Sequence, residues 1–112
     1  MKPGLVEGHK VTLKVEVTPE MFAQFEGKVV HPVYSTVSMV YHMEWASRQI
    51  ILPFLEDHEE GMGAAVHVKH IAPSPLGSNL TVTATLDRLL DKNVITNVSI
   101  HNEKGVIGVG EV

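Results

Sequence analysis

Apolar and polar residues alternate cleanly at the start of the chain. In "HKVTLKVEV", Val11, Leu13, Val15 and Val17 share one face and Thr12, Lys14 and Glu16 the other. That period of two predicts a half-buried strand. In "TPEMFAQF", Thr18 is placed to cap and Pro19 to open a short helical turn. "EGKVVHPVYS" has no clear period, and Gly27 and Pro32 interrupt it, so it reads as a loop.

From Ser35 or Thr36 the period changes. Val37, Val40, Met43, Ile50, Ile51, Phe54 and Leu55 recur at helical spacing, which predicts one helix to about Leu55, kinked or ended by Pro53. The acidic "EDHEEGMG" reads as a loop. Four alternating or apolar segments follow: "GAAVHVKHIA", "NLTVTATLDRLL", "VITNVSIHN" and "GVIGVGEV". "DKN" and "NEKG" have the composition of hairpin turns, and "PSPLGS" makes a longer one. Strands joined by short turns imply an antiparallel sheet, and one long apolar helix must then lie across a face of it. There is no repeat and no linker. The pattern predicts a single α+β domain over residues 1–112 with about five strands and one central helix.

The bulk numbers narrow the partners. The 112 residues include no cysteine, which excludes a disulfide framework, a cysteine nucleophile and a thiolate metal site. Net charge is −4 with nine scattered Lys and Arg, so no basic stripe invites nucleic acid. The N-terminus has no apolar signal-like stretch, and the apolar run "IILPFL" is too short to span a bilayer. A cytoplasmic protein without a membrane partner is the expectation. No ligand-like spacing of His, Asp and Glu marks a metal site. His67 and His70 point to opposite faces of their strand, and His42 and Glu44 diverge on the helix. A domain this small gains by burying surface against a second copy.

Two polar residues fall where apolar ones are expected. Glu44 lies in the line of Val37, Val40 and Ile51, which should face the core. It is either one half of a surface pair with Arg48, four residues on, or an inward catalytic carboxylate. His70 shares a strand face with Ala64, Val66 and Val68. It is either a core histidine bonded to a carbonyl or a general base. A buried unpaired charge costs several kcal/mol, roughly, so two such residues near one another suggest use as an acid–base pair. Thr36 is either a plain N-cap or a hydroxyl at the positive end of the helix, placed to bind or attack a carbonyl.

"STVSMVYHMEW", "PFLEDHEEGMGAAVHVKHIAPSPLGSNLTVTATL" and "VSIHNEKGVIGVG" together resemble the fluoroacetyl-CoA thioesterase branch of the hotdog thioesterases over nearly the whole chain. In that branch a Thr opens the central helix, a Glu precedes a Trp within it, and a His lies on the next strand. Thr36, Glu44 in "MEW" and His70 in "VKHIA" match. The resemblance implies a hotdog fold and hydrolysis of a short acyl-CoA to free acid and CoA. CoA is then part of the substrate and no cofactor is needed. Glu44 would attack the carbonyl or activate water, His70 would act as base and Thr36 would position the attack. A backbone N–H near Gly63 would serve the oxyanion. The resemblance also implies a homodimer, or a tetramer built from it. Fluoroacetyl-specific members carry Phe in a lid just before the Thr, where this chain has "GKVVHPVYS". They also continue past "GEV" to a basic residue. A broader or different short acyl group is therefore expected. The rival readings are a hotdog dimer that binds acyl-CoA without turnover, and a structural dimer module, which an exposed Glu44 would favour.

Overall fold

The computed structural model describes all of residues 1–112. Seven strands and one α-helix are present: β1 (Lys10–Glu16), β2 (Phe22–Phe25), β3 (Lys28–Tyr34), α1 (Thr36–Ile51), β4 (His67–His70), β5 (Asn79–Leu89), β6 (Val94–Asn102) and β7 (Gly105–Glu111). Five strands form one antiparallel sheet in the order β1-β5-β6-β7-β4. α1 lies across this sheet. Short 3-10 turns precede β2 (Pro19–Met21) and follow α1 (Leu52–Phe54).

The alternation seen in the sequence becomes the core. Leu80, Val82, Ala84 and Leu86 of β5 are buried, as are Val98 and Ile100 of β6 and Ile107 of β7. Met39, Met43, Ala46 and Ile50 of α1 close over them. Each fully buried large side chain contributes about 1.5–3 kcal/mol by removal from water. The helix can approach closely because β7 carries glycines opposite its methionines. A Cβ at Gly108 would fall 2.5 Å from Met39 Sδ, and one at Gly110 would fall 2.9 Å from Met43 Sδ.

Three expectations change. "EGKVVHPVYS" is not a loop: residues 28–34 form β3, paired with β2 in a separate two-stranded ribbon. Glu26 (φ 52°) and Gly27 (φ 79°) turn between Phe25 and Lys28. Positive φ at both central residues is what a tight hairpin needs, and glycine supplies one of them without strain. The strand expected from Gly63 begins only at His67. And the buried line of α1 is not the one through Val37 and Glu44. It runs through Met39, Met43, Ala46 and Ile50, while Val37 is 75% exposed.

Candidate active site

The start of α1 is held from several sides. The Tyr34 N–H donates to Ser74 O (2.9 Å), and the Ser35 N–H to Met21 O (2.8 Å). Ser35 is the N-cap, and its Oγ accepts from the Ser38 N–H at 3.0 Å. A serine one residue earlier therefore does the capping, and Thr36 is released from it. Its hydroxyl instead meets His70: Oγ1 lies 2.9 Å from Nδ1.

His70 closes β4, opposite Gly108 of β7. Just beyond it, the N–H groups of Ile71 and Ala72 both donate to Ile107 O. The backbone on this side of the imidazole is thus fixed to the sheet. His70 is half-buried and Thr36 is exposed, so a substrate can reach the pair.

Glu44 is not with them. Eight residues of helix separate it from Thr36, about 12 Å of rise. It is exposed, which corrects the inward placement expected of it. The correction has a simple cause. α1 is apolar on much of its circumference, so periodicity alone does not choose its core face; the gaps at Gly108 and Gly110 admit Met39 and Met43, and that rotation turns Glu44 outward. The surface pair with Arg48 does not form either. Arg48 Nη2 reaches Glu60 Oε1 and Nη1 donates to Gly61 O, both at 3.0 Å. The Glu44 carboxylate accepts no hydrogen bond within the chain. It faces Gly63, where an added Cβ would lie 3.5 Å from Oε1. The Gly63 N–H likewise donates to no group of the chain. Glu44 and Gly63 line a groove of about 940 Å³ with Trp45, Arg48, Ile51 and His67; Thr36 and His70 lie outside it.

Two further residues stand beside Thr36 and His70 that sequence reasoning passed over. Tyr34 and His42 are both buried. The Tyr34 hydroxyl is 2.6 Å from His42 Nδ1, and the two rings stack with an 8° interplanar angle. Burial pushes the phenol pKa up and pulls the imidazole down. The phenol keeps its proton and has no other hydrogen-bond partner, so it donates and Nδ1 accepts. The Tyr34 ring also stands edge-on to His70, centroids 6.3 Å apart. The available sequence signal was the spacing: Tyr34 ends a strand, and His42 lies two turns into the helix on its buried side.

No group of three or more His, Cys, Asp or Glu side chains is arranged to hold a metal ion. No helix is long and apolar enough to cross a membrane.

One helix against a five-stranded antiparallel sheet is the hotdog fold of the thioesterases. A Thermus thermophilus thioesterase-superfamily member superposes with a TM-score of 0.92 at 43% identity, covering 97% of this chain and 81% of its own. A mutant of the fluoroacetyl-CoA-specific thioesterase gives a TM-score of 0.89 at 32% identity, covering 98% and 86%. The fluoroacetyl-CoA thioesterase of Streptantibioticus cattleyicolor is 33% identical over 121 residues, 98% of this chain and 84% of that protein. The fluoroacetyl-CoA-specific thioesterase family model matches residues 17–112, and the chain belongs to that family. It is a hydrolase of acyl-CoA thioesters.

Proposed function

We propose that the protein hydrolyses a short acyl-CoA through Thr36, His70 and Glu44, and that two copies are needed to bring the three together. The observation that carries this reading is the 2.9 Å contact between Thr36 Oγ1 and His70 Nδ1 on an accessible surface. A hydroxyl and an imidazole in register are the start of an acyl-transfer site. The missing part is a carboxylate, and one helix cannot deliver its own Glu44 across about 12 Å. The open face of α1 carries Val37, Tyr41 and Trp45, all exposed apolar groups, beside Glu44. Pairing two such faces about a two-fold axis covers them and brings Glu44 of the partner subunit toward Thr36 and His70.

In the reaction, water or the partner's Glu44 forms the new bond to the thioester carbonyl. His70 takes the proton where water attacks, and the carbonyl oxygen gains charge. The free N–H of the partner's Gly63, which lies beside that Glu44, is suited to hold that charge. The C–S bond then breaks, the proton passes to sulfur, and CoA leaves as the thiol. If Glu44 attacks first, the C–S bond breaks to release CoA as the thiolate and leave a mixed anhydride. Water then opens the anhydride with His70 taking its proton, which passes to the thiolate, and Glu44 is regenerated as the carboxylate. Residues 27–35, immediately before Thr36, carry no phenylalanine, but the ribbon they belong to does, at Phe22 and Phe25 of β2, so the ribbon does not choose between fluoroacetyl and another short acyl group.

Thiol release from acetyl- to hexanoyl-CoA and fluoroacetyl-CoA tests this. Glu44→Gln and His70→Ala are each expected to lose at least about 10²-fold in turnover while staying folded. Mixing the two inactive variants should restore about a quarter of wild-type activity, because half the dimers are mixed and each then holds one intact site. Folded variants with wild-type rates would refute the site. No recovery on mixing, with exchange of subunits shown, would refute its division between copies. CoA binding by wild type without any turnover would leave a binding module.

A further inference from the structure

The reaction described above has no use for Tyr34 and His42, yet both sit beside it. As a stabilising device the pair is poor. Each partner gives up water, one hydrogen bond roughly compensates, and a Phe–Leu pair of similar shape would fill the space with no polar group to satisfy. Its placement is more informative. The Tyr34 main chain is fixed by the bond to Ser74 O, and the next residue by the bond to Met21 O. The far end of its side chain is fixed on His42, in the helix. The ring is therefore held from three elements, and its flank is what His70 meets, at 69°.

His70 needs such a wall. Its backbone is set by β4, but a single hydrogen bond to the mobile hydroxyl of an exposed threonine does not stop an imidazole from rotating about its own axis. We propose that Tyr34, anchored by His42, is a positioning residue that keeps the His70 ring in the orientation where Nδ1 meets Thr36. The inference rests on the reading of His70 as the base. Neither Tyr34 nor His42 touches substrate in this account. They act through His70.

Three variants test it: His42→Leu, which removes the anchor; His42→Asn, whose side-chain oxygen can accept from the phenol in place of Nδ1; and Tyr34→Phe with His42→Leu, which leaves no orphaned polar group. Two readouts are taken, steady-state kinetics on the best acyl-CoA and the imidazole ¹⁵N shifts of His70, assigned against His70→Ala. The expected result is a kcat about tenfold lower in His42→Leu and in the double variant, with KM unchanged, since small misplacements of a reacting group act on the chemical step. The His70 shifts should move in both, and His42→Asn should recover most of kcat and the native shifts. Wild-type kcat and wild-type His70 shifts in the folded double variant would overturn the proposal. If His42→Leu does not fold, the double variant decides. If wild type turns over no acyl-CoA, the catalytic reading has failed, and the His70 shifts alone decide whether the pair positions the ring.

Discussion

The two faces of α1 differ in almost every physical respect. One is sealed: Met39, Met43, Ala46 and Ile50 are fully buried against the sheet, and His42 is satisfied by Tyr34. The other is open: Val37, Tyr41 and Trp45 are exposed, and Glu44 is without a hydrogen bond. Thr36 stands where the open face begins. The sealed face sets where the helix sits and how it is rotated. The open face then presents Glu44 outward as a consequence of that rotation. A thioesterase built this way can change the open face with little effect on folding, whereas a change in the sealed face is felt by both.

The largest test of this division is Gly110→Ala. The added Cβ would lie 2.6 Å from His67 O and 2.9 Å from Met43 Sδ. The methionine can yield, but the backbone oxygen of β4 cannot without moving the strand that carries His70. Overpacking of this kind costs about 1–3 kcal/mol. Urea unfolding should show that loss, whereas Glu44→Gln, on the open face, should unfold with wild type. Equal losses in the two variants would erase the distinction between the faces.

The same contrast explains what the sequence made legible. The strands β1, β5 and β6 bury one side, so each wrote a period of two into the chain. The helix was equally plain in extent, from Thr36 to Ile51 with a 3-10 turn to Phe54. Its rotation was not. Val37, Val40, Met43 and Met39 are all apolar, and the choice among them is made by two glycines about seventy residues away on β7. The β2–β3 ribbon was hidden for another reason. Most of β3 is exposed, so no alternation marks it, and Pro32 argued against a strand. Tight pairing at Phe25↔Lys28 was signalled only by the glycine of "EGK". Residue type, spacing and the family resemblance were enough to raise Thr36, Glu44 and His70 as candidates. That Glu44 stands apart from the other two within one chain depends on the helix rotation, which no local pattern encodes. The partnership of Tyr34 and His42 crosses from a strand that was not recognised, so their spacing, the one signal of it, carried no meaning in the sequence alone.

A smaller effect tests the sealed face by pH. Burial holds the His42 imidazole below the ordinary histidine range of about 6.5. As pH falls through that range, the unfolded chain takes up this proton before the folded one does. Stability contributed by neutral His42 is therefore complete above about pH 6.5 and declines as pH drops toward the folded value. The double variant Tyr34→Phe with His42→Leu removes this titration. The difference in unfolding midpoint between wild type and the double variant should thus shift in favour of the variant from pH 7.5 to pH 5. A difference independent of pH would mean that His42 is no more shielded than an open-face histidine.

The smallest expected effect belongs to Arg48, on the open side. Its guanidinium bridges the helix to the loop before β4, through Glu60 Oε1 and Gly61 O, and it holds the Glu60 carboxyl below its usual range. Both side chains are largely in water, where screening and side-chain entropy cancel most of such a pair. Arg48→Ala should unfold at a urea concentration close to that of wild type, and the remaining difference should vanish at high salt. The result bears on more than one ion pair, because Gly63 and its free N–H lie two residues beyond Gly61. If Arg48→Ala unfolded like Gly110→Ala, the loop over Glu44 would belong to the same cooperative unit as the sealed core. A wild-type-like midpoint leaves that loop an independent element, able to adjust around Glu44 and Gly63 while the sheet, the helix and the Thr36–His70 contact stay fixed.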